Sequence, residues 1–490
     1  MINDNVKKKL KEIFGDKGFL DSAEDRISYS YDGTPVISAL PDAIVIPASV
    51  DQISALVRLA NDEKFTVVPR GSGSGLSGGS IPSENSVVLL MNQWNKVIEL
   101  DKNNLTAWVE PGVITARFQS QVESQGLFYP PDPGSAQICT LGGNVAENAG
   151  GLRGLKYGVT KNYTLGFEVV LPTGEVMKIG GKNMKDVAGY NLKDVLIGSE
   201  GTLGIFTRIL LKLIPMPAFS RTLLAFYDSI GGAAETVSAI TAARIMPAMM
   251  EFLDNPTIRA VEGFSRLGLD TNTGALLLVE VDGPRSAVEE DAVAVEKICR
   301  ITGAKNVRVA KDDAEAAKLK AARKSALAAL ARIRPTTILE DATVPRSELA
   351  VMVDFISQTA KKHSIQIGTF GHAGDGNLHP TALTDERDHA EIKRTEEAFD
   401  DIFRKAVELG GTITGEHGVG LTKKKFLEEL YDSPFVRMME TTKQMLDPNG
   451  ILNPNKVISV MPRCEGALPK SREQIESIMK RMGNPSEAYI

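Results

Sequence analysis

Val6, Leu10, Ile13 and Phe14 recur at helical spacing near the start of the chain, with Lys7, Lys8, Lys9 and Lys11 among them. This predicts a short amphipathic helix with a lysine-rich outer face. From Pro41 the pattern turns to strand and helix. AIVIP reads as a short buried strand, Ser49 with Gln52 as a capping box, and Ile53, Leu56, Val57 and Ala60 as a helix face. The strand TVVP (66–69) runs directly into RGSGSGLSGG (70–79). Between about 87 and 215 the strand-like runs VVLLM, AWVE, LGFEVVLP, GEVMKI and GTLGIFTRILLKLIP alternate with glycine-rich turns, an α+β layout. Past Pro215 and Pro217 the text changes: LLAFY, ALLLVEVDG and TTILEDATVP read as strands among alanine-rich helices, which predicts a separate domain. Glycine-rich text returns at 410–420, followed by LDPNGILNPNK (446–456) and a polar tail.

Composition narrows the class. With 490 residues, 42% hydrophobic and 24% charged, the chain has the make-up of an ordinary globular protein of several domains. A net charge of -6 and a pI near 5.7 give no electrostatic reason to expect nucleic acid, which wants a basic stripe. No run approaches the roughly 18 apolar residues of a transmembrane segment, and the lysine-rich start lacks a signal-peptide core. The expected location is the cytoplasm. Cys139, Cys299 and Cys464 are scattered and odd in number, as reduced thiols would be.

The skewed number is glycine, 44 residues in all. Gly73, Gly75 and Gly78 spell GxGxxG and Glu99 follows about 20 residues on, the outline of a Rossmann site. That fold needs a helix at the third glycine, whereas GSIPSEN (79–85) leads straight to the next strand. What remains is a loop whose backbone N–H groups can converge on an anion such as a pyrophosphate; the alternative is a flexible surface loop. Two further glycine clusters, LGGNVAENAGG (141–151) and IGSEGTLGI (197–205), and the proline-bounded turn PPDPGS (130–135), with Asp132 as an acceptor, favour a large flat ligand.

In this order, PRGSGSGLSGG, PPDPGS, LGGNVAENAGG, KDVAGYNLKDVLIGSEGTLG, GHAGDGNLH, GEHGVG and LNPNK resemble the vanillyl-alcohol oxidase/p-cresol methylhydroxylase flavoproteins, in their D-2-hydroxyacid dehydrogenase branch with glycolate oxidase and D-lactate dehydrogenase. The resemblance spans about Pro41 to Lys456. It implies an α+β fold with a two-part FAD-binding domain (1–217 and 416–460), an inserted α+β cap domain on an antiparallel sheet (218–415), and a tail (461–490). It also implies that Arg70, Gly71, Ser72, Gly73, Ser74, Gly75 and Gly78 hold the FAD pyrophosphate. Pro131, Asp132, Gly142, Gly143, Asn144, Gly151, Tyr157, Gly158, Glu200, Gly201 and Ile205 would line the rest of the cofactor. Some relatives attach FAD through a histidine near the first loop, but the first histidine here is His363, so dissociable FAD is expected.

Three of the five histidines lie in two glycine-bordered segments, His372 and His379 in GTFGHAGDGNLHP and His417 in TGEHGVG, each after a strand-like run, SIQIGTF and GTITG. His372 and His379 with one carboxylate suit Zn²⁺ or Mn²⁺, and Glu416 is the best third ligand. Neighbouring side chains of an extended segment point opposite ways, which leaves His417 free as a candidate base. The alternative is that these histidines only brace turns. The relatives bind a divalent metal through positions matching His372, His379 and Glu416, and this favours the metal site. Asp375 and Asn377 could orient ligands, and His363 and His389 have no assigned role.

On a helix expected around 311–332, Arg323 falls within the apolar stripe of Leu319, Ala326, Leu327 and Leu330. A guanidinium there needs an anion, either Glu340 or Asp341 or a substrate carboxylate that its fork can clamp. The resemblance favours the substrate. Lys324 is expected in solvent, and Leu339, Glu340 and Asp341 stand where the resemblance implies a lysine in relatives acting on the dicarboxylate 2-hydroxyglutarate, which argues for a small monocarboxylate.

The activity implied is oxidation of a small D-2-hydroxy acid, D-lactate or glycolate, to the 2-oxo acid, with electrons passed to a protein or quinone acceptor such as an iron–sulfur subunit or an electron-transfer flavoprotein. A homodimer stays open, as does peripheral attachment at the inner membrane through a partner. The rivals are a non-catalytic flavin-carrying subunit and an alkylglycerone-phosphate-synthase-like lyase. The helix-like SREQIESIMKRM in the tail is either surface packing or a docking element.

Overall fold

The computed structural model describes residues 1–459, so the tail at 461–490 lies outside the described residues. The opening helix, Asp4–Phe14, buries Val6, Leu10 and Phe14 and packs on the helix Val50–Glu63. That second helix starts at Ser49, whose side chain takes the Gln52 N–H at 3.3 Å, and it buries Ile53, Leu56, Val57 and Ala60. Strands Ala43–Val45, Ser86–Leu90 and Thr66–Arg70 run parallel in that spatial order, with Phe19–Leu20 antiparallel on the outer edge. Residues 71–85 reach the parallel neighbour without a helix, and Glu99 is paired with Lys182 at 2.8 Å, so neither half of a Rossmann site exists here.

A second, antiparallel sheet orders Val97–Asp101, Thr106–Val109, Ile205–Lys212, Thr164–Val170 and Val176–Gly180. The helix Leu141–Glu147 takes up the first part of the second glycine cluster, which therefore is not a loop throughout. Thr140 caps it through the Gly143 N–H at 3.2 Å. A Cβ on Gly142 would lie 2.5 Å from the Pro111 ring and 2.9 Å from its carbonyl, so glycine there serves close approach of the helix to a neighbouring turn.

From Phe219 on, an antiparallel sheet orders Asn306–Val309, Phe219–Tyr227, Ala275–Gly283, Met249–Asp254, Gln366–His372, Asn377–Thr384 and Thr336–Leu339, with Ala342–Thr343 also paired to Asn377–Thr384. Leu223, Ala225 and Tyr227 enter one hydrophobic cluster and Leu224 and Phe226 another. Successive side chains face opposite ways, so this sheet is buried on both faces, which explains its continuous apolar runs. GTITG is not a strand: Thr412 makes only an isolated bridge to Thr343. The helix expected at 311–332 is broken at Ser325 into Asp313–Lys324 and Ala326–Leu330.

Asp254 ends its strand with Oδ1 on the Thr257 N–H at 3.0 Å and Oδ2 on the Thr369 N–H at 2.7 Å, tying the strand Gln366–His372 in place. Burial pushes its carboxyl up to about 6, against those hydrogen bonds. The folded value lies above the unfolded one of about 3.9, so the group's contribution to stability is full at low pH and lost as pH rises through about 6. The thermal midpoint of the wild type should therefore exceed that of Asp254→Asn by less at about pH 7 than at about pH 4. A constant difference would contradict this.

Candidate active site

A cavity of about 700 Å³ opens between the two halves of the chain. One side is lined by Pro69–Leu76, Ser135, Ile138–Thr140, Gly142–Asn144, Glu147 and Glu200–Gly201, with Gly204 and Ile205. The other is lined by Arg323, Lys324, Leu327, Leu339, Phe370, His372, His379, Glu416 and His417. The volume is in the upper part of the range for cofactor sites.

His372 ends the strand Gln366–His372, and His379 lies within Asn377–Thr384, paired across from Phe370. The turn between them is therefore only 373–376, and both histidines stand on sheet strands. Residues two apart on a strand share a face, so Phe370, His372 and His379 project together. His372 Nε2 lies 3.0 Å and His379 Nε2 3.2 Å from Glu416 Oε1. Two ligands on one tetrahedral Zn²⁺ with bonds of about 2.0–2.1 Å stand ~3.3 Å apart, so this set fits a metal ion. Burial alone would depress His372, but Glu251 and Glu416 raise it well above the ordinary histidine value. Glu416, raised by burial, is brought well below its usual range by His372 and His379.

Asp341 builds the loop that carries Glu416 and His417. Its Oδ2 accepts from Thr414 Oγ1 at 2.7 Å and from the backbone N–H groups of Gly415, Glu416 and His417 at 2.7, 2.9 and 3.0 Å. Burial works to raise this carboxyl, but His417, Lys423 and His379 hold it below the usual range. On the far side of the loop Glu200 accepts from the Val419 and Gly420 N–H groups at 2.7 Å each. Gly418 has φ +86°, and a Cβ there would come within 2.2 Å of Glu147 Oε2. Burial raises Glu147, and Glu200 raises it further; Glu200 itself is raised by burial to about 6.

Because 414–418 is a turn and not an extended segment, Glu416 and His417 face the same cavity, with His417 Nε2 4.0 Å from Glu416 Oε1. The His417 ring stacks on His379 at 5.0 Å. Burial lowers His417 to about 4 against the pull of Asp341, so the imidazole is neutral at neutral pH and able to accept a proton. Asp341, His379 and His417 also bring ligand atoms within 4.8 Å of one another.

Arg323 is buried on the cavity wall, over the Phe370 ring at 4.8 Å. Its ion-pair partner is neither Glu340 nor Asp341: Nη2 lies 2.6 Å from Glu251 Oε2, while neither Nη2 nor Nε has a hydrogen-bond partner. Lys324, expected in solvent, holds both oxygens of Asp132 at 2.8 and 2.9 Å. Glu340 pairs with the fully buried Lys423 at 3.3 Å, so the acidic stretch is consumed inside the protein and only Leu339 of the three reaches the cavity.

Of the residues expected to line the cofactor, Arg70, Gly71, Ser72, Gly73, Ser74, Gly75, Gly142, Gly143, Asn144, Glu200, Gly201 and Ile205 are on the wall. Gly78, Pro131, Asp132, Gly151, Tyr157 and Gly158 are not. Asp132 faces Lys324, Tyr157 donates to Asp282 at 2.7 Å, and the Pro131 carbonyl takes the Gln119 amide at 2.8 Å, so these three brace the surrounding chain. Gly78 packs on Leu421, Gly151 on the Asp132 carbonyl and Gly158 on Asn162. Asp375 and Asn377 make no side-chain hydrogen bond to His372, His379 or Glu416 among those described, and His363 meets Asp401 at 2.9 Å away from the cavity. Sequence reasoning missed Glu251, Glu147 and the bracing role of Asp341. A signal existed for Glu251, a carboxylate within the wholly apolar run MMEFL.

A model of the FAD binding domain matches residues 41–180, and one of the C-terminal domain of FAD linked oxidases matches 216–457. The chain is 52% identical to the glycolate oxidase subunit GlcD of Bacillus subtilis (strain 168), over 94% of this chain and 98% of that one. It is 35% identical to a D-lactate dehydrogenase of Anaerostipes hadrus, over 92% and 96%. Among solved structures, p-cresol methylhydroxylase superposes with a TM-score of 0.79 at 17% identity, covering 93% of this chain and 97% of that one. An alkyldihydroxyacetonephosphate synthase gives 0.73 at 22%, covering 93% and 86%; at such identities the likeness is one of fold. The α+β architecture expected from the sequence is thus the observed one, and the chain belongs to the FAD linked oxidases, an oxidoreductase family built on an FAD-binding domain and its characteristic C-terminal domain.

Proposed function

We propose that the chain oxidises a small D-2-hydroxy acid, D-lactate or glycolate, to the 2-oxo acid. The observation that carries this reading is the meeting of a buried arginine, a two-histidine, one-carboxylate set and a neutral histidine on the wall of one glycine-lined cavity. Arg323 anchors the substrate carboxylate with the edge of its fork that Glu251 leaves free. His417 accepts the hydroxyl proton at Nε2, and Leu327, Leu339 and Phe370 limit the substrate to a short side chain. FAD, when bound, supplies the two-electron acceptor for the hydrogen at C2. His372, His379 and Glu416 would hold a divalent ion, Zn²⁺ or Mn²⁺, whose chemistry is polarisation of a coordinated oxygen.

FAD is held without a covalent bond on this reading. No histidine precedes His363, and burial pushes the thiol of Cys139, on the cavity wall, up from its usual value, which makes it a poor nucleophile. Relatives described as a subunit support electron transfer to a partner protein. No helix among the described residues is long and apolar enough to cross a membrane. The test is anaerobic reduction of the bound flavin by D-lactate, glycolate, D-2-hydroxyglutarate and L-lactate in turn, followed by acid precipitation. D-Lactate or glycolate should bleach the flavin fastest, and the yellow colour should leave with the supernatant. Bleaching by none, or colour in the pellet, would overturn the corresponding part.

A further inference from the structure

Glu251 stands in the strand Met249–Asp254, every residue of which is buried. Its backbone is paired across from His372, so the two side chains rise on the same face of the sheet. A carboxylate sealed between two apolar layers is costly unless each oxygen finds a partner. Each oxygen has one: Oε1 is hydrogen-bonded to His372 Nδ1 at 2.8 Å, and Oε2 forms an ion pair with Arg323 Nη2 at 2.6 Å. Those partners belong to the two halves of the site, the ligand set and the substrate anchor, and Glu251 does not itself line the cavity.

We propose that Glu251 is a positioning residue that couples metal retention to recognition of the substrate carboxylate. This inference rests on the functional reading above. Through Oε1 it accepts a hydrogen bond from His372 Nδ1–H, which leaves Nε2 with its lone pair at the position beside Glu416 Oε1. Through Oε2, 2.6 Å from Nη2, it fixes one arm of the Arg323 fork on the cavity wall, with Phe370 packed against the guanidinium. One carboxylate thus sets the distance between the group that grips the acid end of the substrate and the group that grips the hydroxyl end.

The experiment compares wild type with Glu251→Gln, which keeps the volume and removes the charge. Flavin absorbance and thermal midpoint report folding. Titration of Zn²⁺ or Mn²⁺ against a chelator reports metal affinity, and kcat and KM are measured at saturating metal. Loss of such an outer carboxylate typically weakens a metal site about 10–100-fold, and KM for the hydroxy acid should rise by about tenfold with a smaller change in kcat. Arg323→Lys should raise KM without releasing metal, and His372→Ala should release it. A change in only one of the two readouts, or in neither, would overturn the coupling. Should Glu251→Gln fail to fold, Glu251→Asp, one methylene too short to reach both partners, must show the same paired loss. Wild-type protein that holds no metal, with His372→Ala fully active, would instead overturn the functional reading itself.

Discussion

Replacing His417 by alanine is expected to lower turnover by at least about a hundredfold while FAD stays bound and the fold is unchanged. Removal of a positioned general base typically costs 10²–10⁴-fold. The lower bound applies because water could occupy the space vacated and accept the proton less well. Two features support the proposed role of His417 as the base. Burial keeps it neutral, with a pKa near 4, so it has a lone pair available at working pH. Its backbone N–H is tied to Asp341 Oδ2, and its ring stacks on His379, so the lone pair is held in one place. The measurement is kcat and KM with an artificial dye acceptor, together with the flavin absorbance spectrum. Turnover near the wild-type level would exclude His417 from the chemistry, and loss of the flavin spectrum would point to a structural role.

Stripping the divalent metal with a chelator is expected to stop turnover, and adding Zn²⁺ or Mn²⁺ to restore it. Lewis-acid polarisation is worth several kcal/mol, about 10²–10⁴-fold in rate. His379→Ala should lose activity to the same degree and should not recover on addition of metal, because one of the three ligand atoms, beside His372 Nε2 and Glu416 Oε1, is gone. Metal content and turnover measured on the same samples decide the matter. Full activity in protein freed of metal would leave the three side chains as a buried hydrogen-bonded cluster.

Much of the flavin side was legible in the chain. The loop at 71–75 follows a strand and has no room for a helix, and both facts could be read from GSIPSEN and the flanking apolar runs. The grouping of His372, His379 and Glu416 was suggested by the few, glycine-bordered histidines together with the family resemblance. Less could be seen where the apolar pattern is continuous. The strand carrying Glu251 is buried on both faces, so no alternation marks it, and the helix break at Ser325 leaves no apolar signature. The acidic residues of EDATVP looked like partners for Arg323 because they are near in sequence and of the right charge, yet the nearer neighbour in space comes from a strand some seventy residues upstream.

Residue type and local spacing were enough to settle which groups could do chemistry, since a strand, a turn and a glycine-rich loop are specified by contacts within a few residues. Which of those groups face one another was decided by sheet register. Pairing Glu251 with His372 brings segments more than a hundred residues apart together, and pairing Phe370 with His379 across the adjacent hairpin adds the second histidine to the same face. Long-range pairing of this kind is set by packing of the whole sheet between two apolar layers. For that reason the candidate ligands and base could be named from the chain, whereas Asp341 as brace of their loop and Glu251 as the link between anchor and ligand emerged only from the folded arrangement.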